Sequence, residues 1–433
     1  MIAKMFNKNP KSSIILGFLF LFVILVISPS IIDFFDNSNI PNNNGTTPNN
    51  NGTIPVNNTA NKNPILRVNG TNIVDINNSV VILNGILVTH PDRHTKINST
   101  DTTENISETF FTSKDVKMLK DIGVNMIDIH GMRLWELIRT FKVVQEDFFI
   151  NYVDQWVNWC TENKLYVNIN IVGFANANID DGNNYVMPRW MYTSYGPPKT
   201  DEEQSQIIHD FWDIEVKSMD DEREYFYKIW RYISERYKDN PYVMYSLVNE
   251  PIHHTYKQAD SDRLEKLGLG YSKIITNTID EIRSTGSEQL IFVDKPYLVD
   301  INGNSTWSHY IVPINRTGIV WEAHVYISNN RSVEGWLTKV EEFKEIFINQ
   351  FGKPLFIGEW HINPIWYRYN ITDWKGDTLK QKLFLEESGL SGTFHSYGKL
   401  FGYSNWYYSR FNYSLSQDEV NYIIDILYNK NVN

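Results

Sequence analysis

The stretch Tyr245-Ser246-Leu247-Val248-Asn249-Glu250-Pro251 decides how this chain is read. It opens as an apolar run of the length of a buried strand. It closes on an amide, a carboxylate and a proline. Pro251 disfavours helical dihedrals at Glu250 and biases it toward extended ones. The expectation is a carboxylate at the last position of a strand. A charge there is costly unless it is paired or used, and in a parallel barrel the carboxyl ends of the strands carry the catalytic side chains. Asn-Glu-Pro alone is a weak signal. It gains weight from Pro354-Leu355-Phe356-Ile357-Gly358-Glu359-Trp360, which repeats the design of an apolar strand followed by a glutamate.

Outward from these two stretches, strand-like and helical patterns alternate from Pro64 to the C-terminus, as in parallel βαβ units. Ile65 to Ile76 reads as a short hairpin closing a barrel floor. Strands are expected at Val80–Val88, Asn125–Ile129, Leu165–Val172, up to Glu250, and at Gln289–Asp294, Ile319–Tyr326, Pro354–Glu359 and Leu400–Trp406. Apolar faces such as Phe226, Ile229, Trp230 and Ile233 mark the helices between them. A long acidic and aromatic loop is expected from Gly173 to about Asp221, and loops of that length are usually functional. Eight such units make residues 64–433 an α/β chain of the (β/α)₈ TIM-barrel class with insertions.

The first 63 residues are a separate object. Lys4, Lys8 and Lys11 precede an apolar run from Ile14 to Ile27, with Asp33 and Asp36 beyond it. That asymmetry leaves the N-terminus inside and sends the rest of the chain out. With no small-residue cleavage site, residues 1–35 read as an uncleaved signal anchor ahead of a cleaved signal peptide. Residues 36–63, rich in Asn, Thr and Pro, read as a disordered polar linker. Twelve N-x-S/T sequons, three of them in that linker, point to a glycosylated protein on the outer face of the cell membrane, or secreted.

A formal net charge of −11 with no Lys/Arg cluster argues against a nucleic-acid backbone as partner. Cys160 is the single cysteine, which excludes an internal disulfide and a cysteine-based metal site. His253-His254 is a poor metal pair, since adjacent loop residues rarely ligate one ion. No metal and no cofactor is expected, and the working unit is expected to be a monomer.

Two glutamates at strand ends three strands apart can face each other across a barrel mouth. Cleaving a glycosidic bond takes two carboxyl groups in different protonation states: one protonates the leaving oxygen, the other attacks or activates water. The acid has to titrate well above the ordinary ~4.3, towards ~6–7. At this point the chain resembles glycoside hydrolase family 5, the cellulase family of clan A. Asn-Glu-Pro closes strand four, a glutamate closes strand seven, His324 and Tyr326 stand two apart on strand six, and Trp406 stands at the expected end of strand eight. The resemblance spans Pro64 to the C-terminus.

The resemblance implies a retaining mechanism, with Glu250 as acid/base and Glu359 as nucleophile. It implies that Asn249 binds the sugar 2-hydroxyl, that His324 assists the acid/base, that Tyr326 orients Glu359 and that Trp406 stacks under the sugar. The implied substrate is a β-linked polysaccharide or oligosaccharide, with a cellulase-like endo-β-glucanase as the first reading. A β-mannanase is the rival within the class, and a non-catalytic carbohydrate-binding barrel the rival outside it. Two positions depart from the family pattern. Its strand-two arginine aligns with Asp128, so Arg133 is a candidate replacement. Its strand-three histidine is missing, so His130 is a candidate there. His90, with Asp92, Arg93 and His94, reads equally well as a substrate contact or a solvated loop. Trp135, Trp190, Trp212, Trp360 and Trp366 fall near the expected mouth, where sugars stack on aromatic faces. Trp156 and Trp230 read as core.

Overall fold

A computed structural model of the chain describes residues 66–89, 111–132, 153–171, 201–252, 260–298, 307–327, 332–362, 374–395 and 417–428. The expected anchor and linker, and Arg133, His90, Trp406, Trp135, Trp190 and Trp366, lie outside these residues. Among the described residues, no helix is long and apolar enough to cross a membrane.

The barrel floor comes first in the chain. Strands β1 (Arg67–Asn69) and β2 (Asn72–Val74) pair antiparallel as the expected hairpin. Then β3 (Asn84–Thr89) leads to helix α1 (Ser113–Asp121), where the Thr112 backbone N–H donates to Asp115 Oδ2 at 2.7 Å in a capping box. Strand β4 (Met126–Met132) is followed by α2 (Asp154–Glu162), and β5 (Tyr166–Ile171) by α3 (Asp201–Trp212) and α4 (Asp220–Tyr237). Next come β6 (Val243–Ser246), α5 (Ser261–Ser284), β7 (Ile291–Asp294), β8 (Ile319–Ile327) and α6 (Val333–Phe343). The series closes with β9 (Leu355–Ile362), α7 (Trp374–Glu387), β10 (Ser391–His395) and α8 (Gln417–Tyr428). Strands β3 to β10 form one closed barrel, each pairing parallel with the next and β10 with β3. This is the (β/α)₈ architecture.

Three expectations need correction. The eighth strand is Ser391–His395, not Leu400–Trp406. Its small residues Ser391 and Thr393 are buried, so it carries little of the apolar signal that marks a strand. The interval expected to be a long loop contains α3, whose Ile207, Ile208, Phe211 and Trp212 are buried. Trp212 packs on Phe211 and Tyr271, and Trp360 packs on Phe394, so both are core residues and not sugar platforms.

Alternation along the strands sorts their side chains into two sets. One set faces the helices: Ile127, Ile129, Tyr245, Val293, Trp321 and Ala323 join helix residues such as Val116, Trp156, Phe226 and Ile275 in one large apolar cluster. Trp230 and Trp336 bury there, and their indole N–H groups donate to the carbonyls of Leu247 (3.1 Å) and Val325 (2.8 Å), tying α4 and α6 to the barrel. Each such indole buries roughly 200 Å², about 5 kcal/mol of transfer free energy. The other set points inward. At the bottom it is apolar, with Met126, Met244, Phe292, Val320 and Phe356 packed on Leu66 and Ile73 of the hairpin. One step up each strand it turns polar: Asp128, Asn168, Ser246, Asp294 and Glu322 are all buried. The barrel therefore grows more ionic toward the carboxyl ends of its strands.

Candidate active site

The uppermost layer collects six of the expected site residues. His324 Nδ1 lies 3.0 Å from Glu250 Oε1 and 3.7 Å from Glu359 Oε1. His130 Nε2 lies 3.1 Å from Glu359 Oε1, and the Tyr326 hydroxyl donates to Glu359 Oε2. Asn249 is buried beside Glu250, with its side-chain oxygen free of any hydrogen-bond partner among the described residues. A nitrogen of His324 and an oxygen from each of Glu250 and Glu359 lie within 4.8 Å of one another. That spacing would admit a cation, but His324 Nδ1 is already committed to Glu250, and the three groups answer one another's charges.

Glu250 reaches this position by a route the sequence did not suggest. Strand β6 ends at Ser246, four residues earlier than expected. Glu250 has φ 45°, in the left-handed region rather than the extended one that Pro251 favours. For a non-glycine residue this costs about 1–2 kcal/mol. Asp294, the last residue of β7, holds the turn: its Oδ2 accepts the Glu250 backbone N–H at 2.7 Å. Asp294 also faces His324 Nε2 at 3.7 Å.

Glu359 depends on an irregularity. On β9, Phe356 points into the barrel and Ile357 out to the helices. Strict alternation would send residue 359 out with Ile357. The pairing with β8 slips, however: Ala323 faces Ile357 and His324 faces Glu359, so Gly358 is an extra residue. The bulge turns Glu359 inward and Trp360 out. Only glycine fits, because a Cβ on residue 358 would stand 1.8 Å from Glu322 Oε1. Glu322 itself accepts from the Ser246 hydroxyl and lies 3.5 Å from His324 Nε2.

The electrostatics follow from this packing. Burial opposes a charge on His324, but Asp294 and Glu359, with hydrogen bonds from the ring to Glu250 and Glu322, more than offset it and raise its pKa well above the usual range. Burial likewise opposes a charge on Glu359, yet His324 and His130 outweigh it and the carboxyl titrates below its ordinary value. Asp294 is pushed up to about 8 by burial and by Glu322, against the pull of His324. Asp128 is also raised, by burial and then by Glu322, and accepts from the Asn168 amide at 3.1 Å.

Sequence reasoning missed three members of the site. Asp294 and Glu322 were hidden as single acids inside apolar strands, legible only through the inward phase of each strand. His395, on the misplaced strand, brings Nε2 to 3.8 Å from Glu359 Oε2.

A closed parallel barrel with two glutamates this close at the carboxyl ends of its strands defines a glycoside hydrolase of the retaining class. Residues 90–382 match Cellulase (glycosyl hydrolase family 5), and the chain belongs to that family. Among solved structures, endo-glycoceramidase II from Rhodococcus sp., captured as a lactosyl-enzyme intermediate, is similar with a TM-score of 0.57 at 15% identity over 75% of this chain and 74% of that one. A β-glucanase from Saccharophagus degradans is similar with a TM-score of 0.53 at 16% identity, over 84% of this chain and 92% of that one. No curated protein sequence matches the chain.

Proposed function

We propose that Glu359 is the nucleophile and Glu250 the acid/base of a double displacement on a β-linked glucan. The observation that carries this is the approach of the two carboxylates to within 4.8 Å. Retaining pairs stand about 5–5.5 Å apart, whereas inverting pairs leave about 6.5–9.5 Å for a water. Glu359, kept anionic by its histidines, attacks the anomeric carbon. Glu250 gives its proton to the glycosidic oxygen, and the leaving sugar departs. Glu250, now a base, takes a proton from water, which cleaves the glycosyl ester and restores both groups. Asn249, with its uncommitted oxygen, is the contact for the 2-hydroxyl.

A second reading of the substrate, a β-glycosyl lipid, is favoured by the endo-glycoceramidase among the similar structures and by the apolar run at Ile14–Ile27, which would hold the enzyme at the outer face of a membrane. β-Mannan is a further alternative. Incubation with a 2-deoxy-2-fluoro-β-glucosyl fluoride, followed by peptide mass spectrometry, tests the roles: the label is expected on Glu359, and a label elsewhere refutes the assignment. Rates on defined β-glucans, mannans and glucosylceramide then decide the substrate. Glu359→Gln is expected to abolish turnover by about 10⁴-fold or more, whereas a binding barrel would be indifferent to it.

A further inference from the structure

The groups around Glu359 share a property that belonging to the family does not supply. Among the described residues, every cationic side chain within ion-pair reach of its carboxylate is a histidine. His130 comes from β4, His324 from β8 and His395 from β10, so they approach from three strands. Their rings also brace one another. His395 packs edge-on against Tyr326, with centroids 5.9 Å apart, and edge-on against His130 at 6.2 Å. Tyr326 is the donor to Glu359 Oε2, so His395 touches the carboxylate and also steadies its hydrogen-bonding partner.

We propose that His395 is a positioning residue for Glu359, closing with His130 and His324 an imidazole cradle that replaces a fixed cation. This rests on Glu359 being the nucleophile. A guanidinium keeps its charge at every working pH, whereas an imidazole changes charge near neutrality. A positive charge beside the carboxylate counts most in acid, where a carboxylate nucleophile most needs protection from protonation. Among the described residues, Asp128 from β4, Tyr326 from β8, Glu250 from the turn after β6 and Tyr297 from just beyond β7 also face Glu359, while Glu322 and Asp294 face His324. Burial pushes Asp128, Asp294 and Tyr297 upward, so in acid they carry protons and do not compete for the histidines' charge.

The sign is fixed by the chemistry. Removing an imidazolium lifts the pKa of Glu359, so the ionised nucleophile is lost at a higher pH. The acid limb of the kcat/KM profile must then move up. The test compares that profile for the full-length enzyme, His395→Gln, His130→Gln and His395→Lys. Each glutamine keeps a donor but no charge, and is expected to raise the acid limb by about one pH unit, roughly a tenfold loss below the limb. The lysine is expected to bring the limb back toward wild type. His395 is 20% exposed, so its variants are the ones least disturbed by packing. A uniform fall in kcat with an unmoved limb in both glutamine variants overturns the cradle. Fluoroglycoside labelling of the same proteins separates the two ideas: labelled Glu359 with an unmoved limb sinks the cradle alone, while wild type labelled elsewhere sinks the nucleophile assignment beneath it.

Discussion

Replacing Asp294 by alanine perturbs the proposed acid/base without altering its side chain. Asp294 accepts the Glu250 backbone N–H at 2.7 Å and thereby holds φ at 45°. Stranding a buried N–H costs about 1–3 kcal/mol, and relaxing a left-handed non-glycine residue returns about 1–2 kcal/mol. The two are of similar size, so this one hydrogen bond is enough to decide the turn, and without it the turn is free to relax. A carboxyl displaced by about 1 Å costs about 10²-fold in rate, and the whole contribution of a general acid is about 10²–10⁴-fold. The assay is kcat/KM on two substrates, a β-glycoside with a sugar leaving group and a 2,4-dinitrophenyl β-glycoside. The first needs its leaving oxygen protonated and the second does not. Asp294→Ala is expected to lower the first by about 10²-fold and the second far less. Asp294→Asn, which keeps an acceptor oxygen, is expected to lie between Asp294→Ala and wild type. Equal losses on both substrates, with a normal thermal melt, would refute the chain of reasoning from turn to acid.

Tyr326→Phe removes the O–H that donates to Glu359 Oε2; a hydrogen bond to a charged group is worth about 1.5–3 kcal/mol, so kcat should fall by about one to two orders of magnitude with KM little changed in steady-state assays. Gly270→Ala on α5 would place a Cβ 1.8 Å from the Trp212 carbonyl oxygen at the end of α3, and a destabilisation of about 1–3 kcal/mol is expected in denaturant titration. Asp154 accepts from Arg236 and, at 2.7 Å, from the Tyr237 hydroxyl, joining α2 to α4. Asp154→Ala removes the carboxylate from the half-buried arginine and should cost about 3 kcal/mol of stability, measured the same way, with kcat unaffected.

The sequence was most legible where physical signals were local. Hydrophobic runs and turn residues located seven barrel strands, and the floor hairpin, because each strand's helix-facing residues are strongly apolar. The eighth failed for the complementary reason: Ser391, Gly392 and Thr393 fill a crowded part of the sheet, where Gly392 would press a Cβ to 3.0 Å from the Ile357 carbonyl. Small polar residues there satisfy packing but look like a loop. Glu250 and Glu359 could be named from their strand-end stretches, and His324 and Tyr326 through the resemblance to the family. Asp294, Glu322 and His395 could not, because nothing in the chain itself says which single polar residue in a strand points inward. Trp212 shows the opposite error: an aromatic in a polar interval looks exposed until a helix forms around it.

Gly358 gives the site an unusual fragility. It has no partner on β8, and that gap sets the phase of the strand beyond it. One residue added to β8 between Ala323 and His324 would give Gly358 a partner, restore regular pleating and turn His324 and Glu359 together into the oily layer beneath the helices. A relative could keep every side chain named here and still be inert through one gained codon, so in this barrel the count of residues matters as much as their kind.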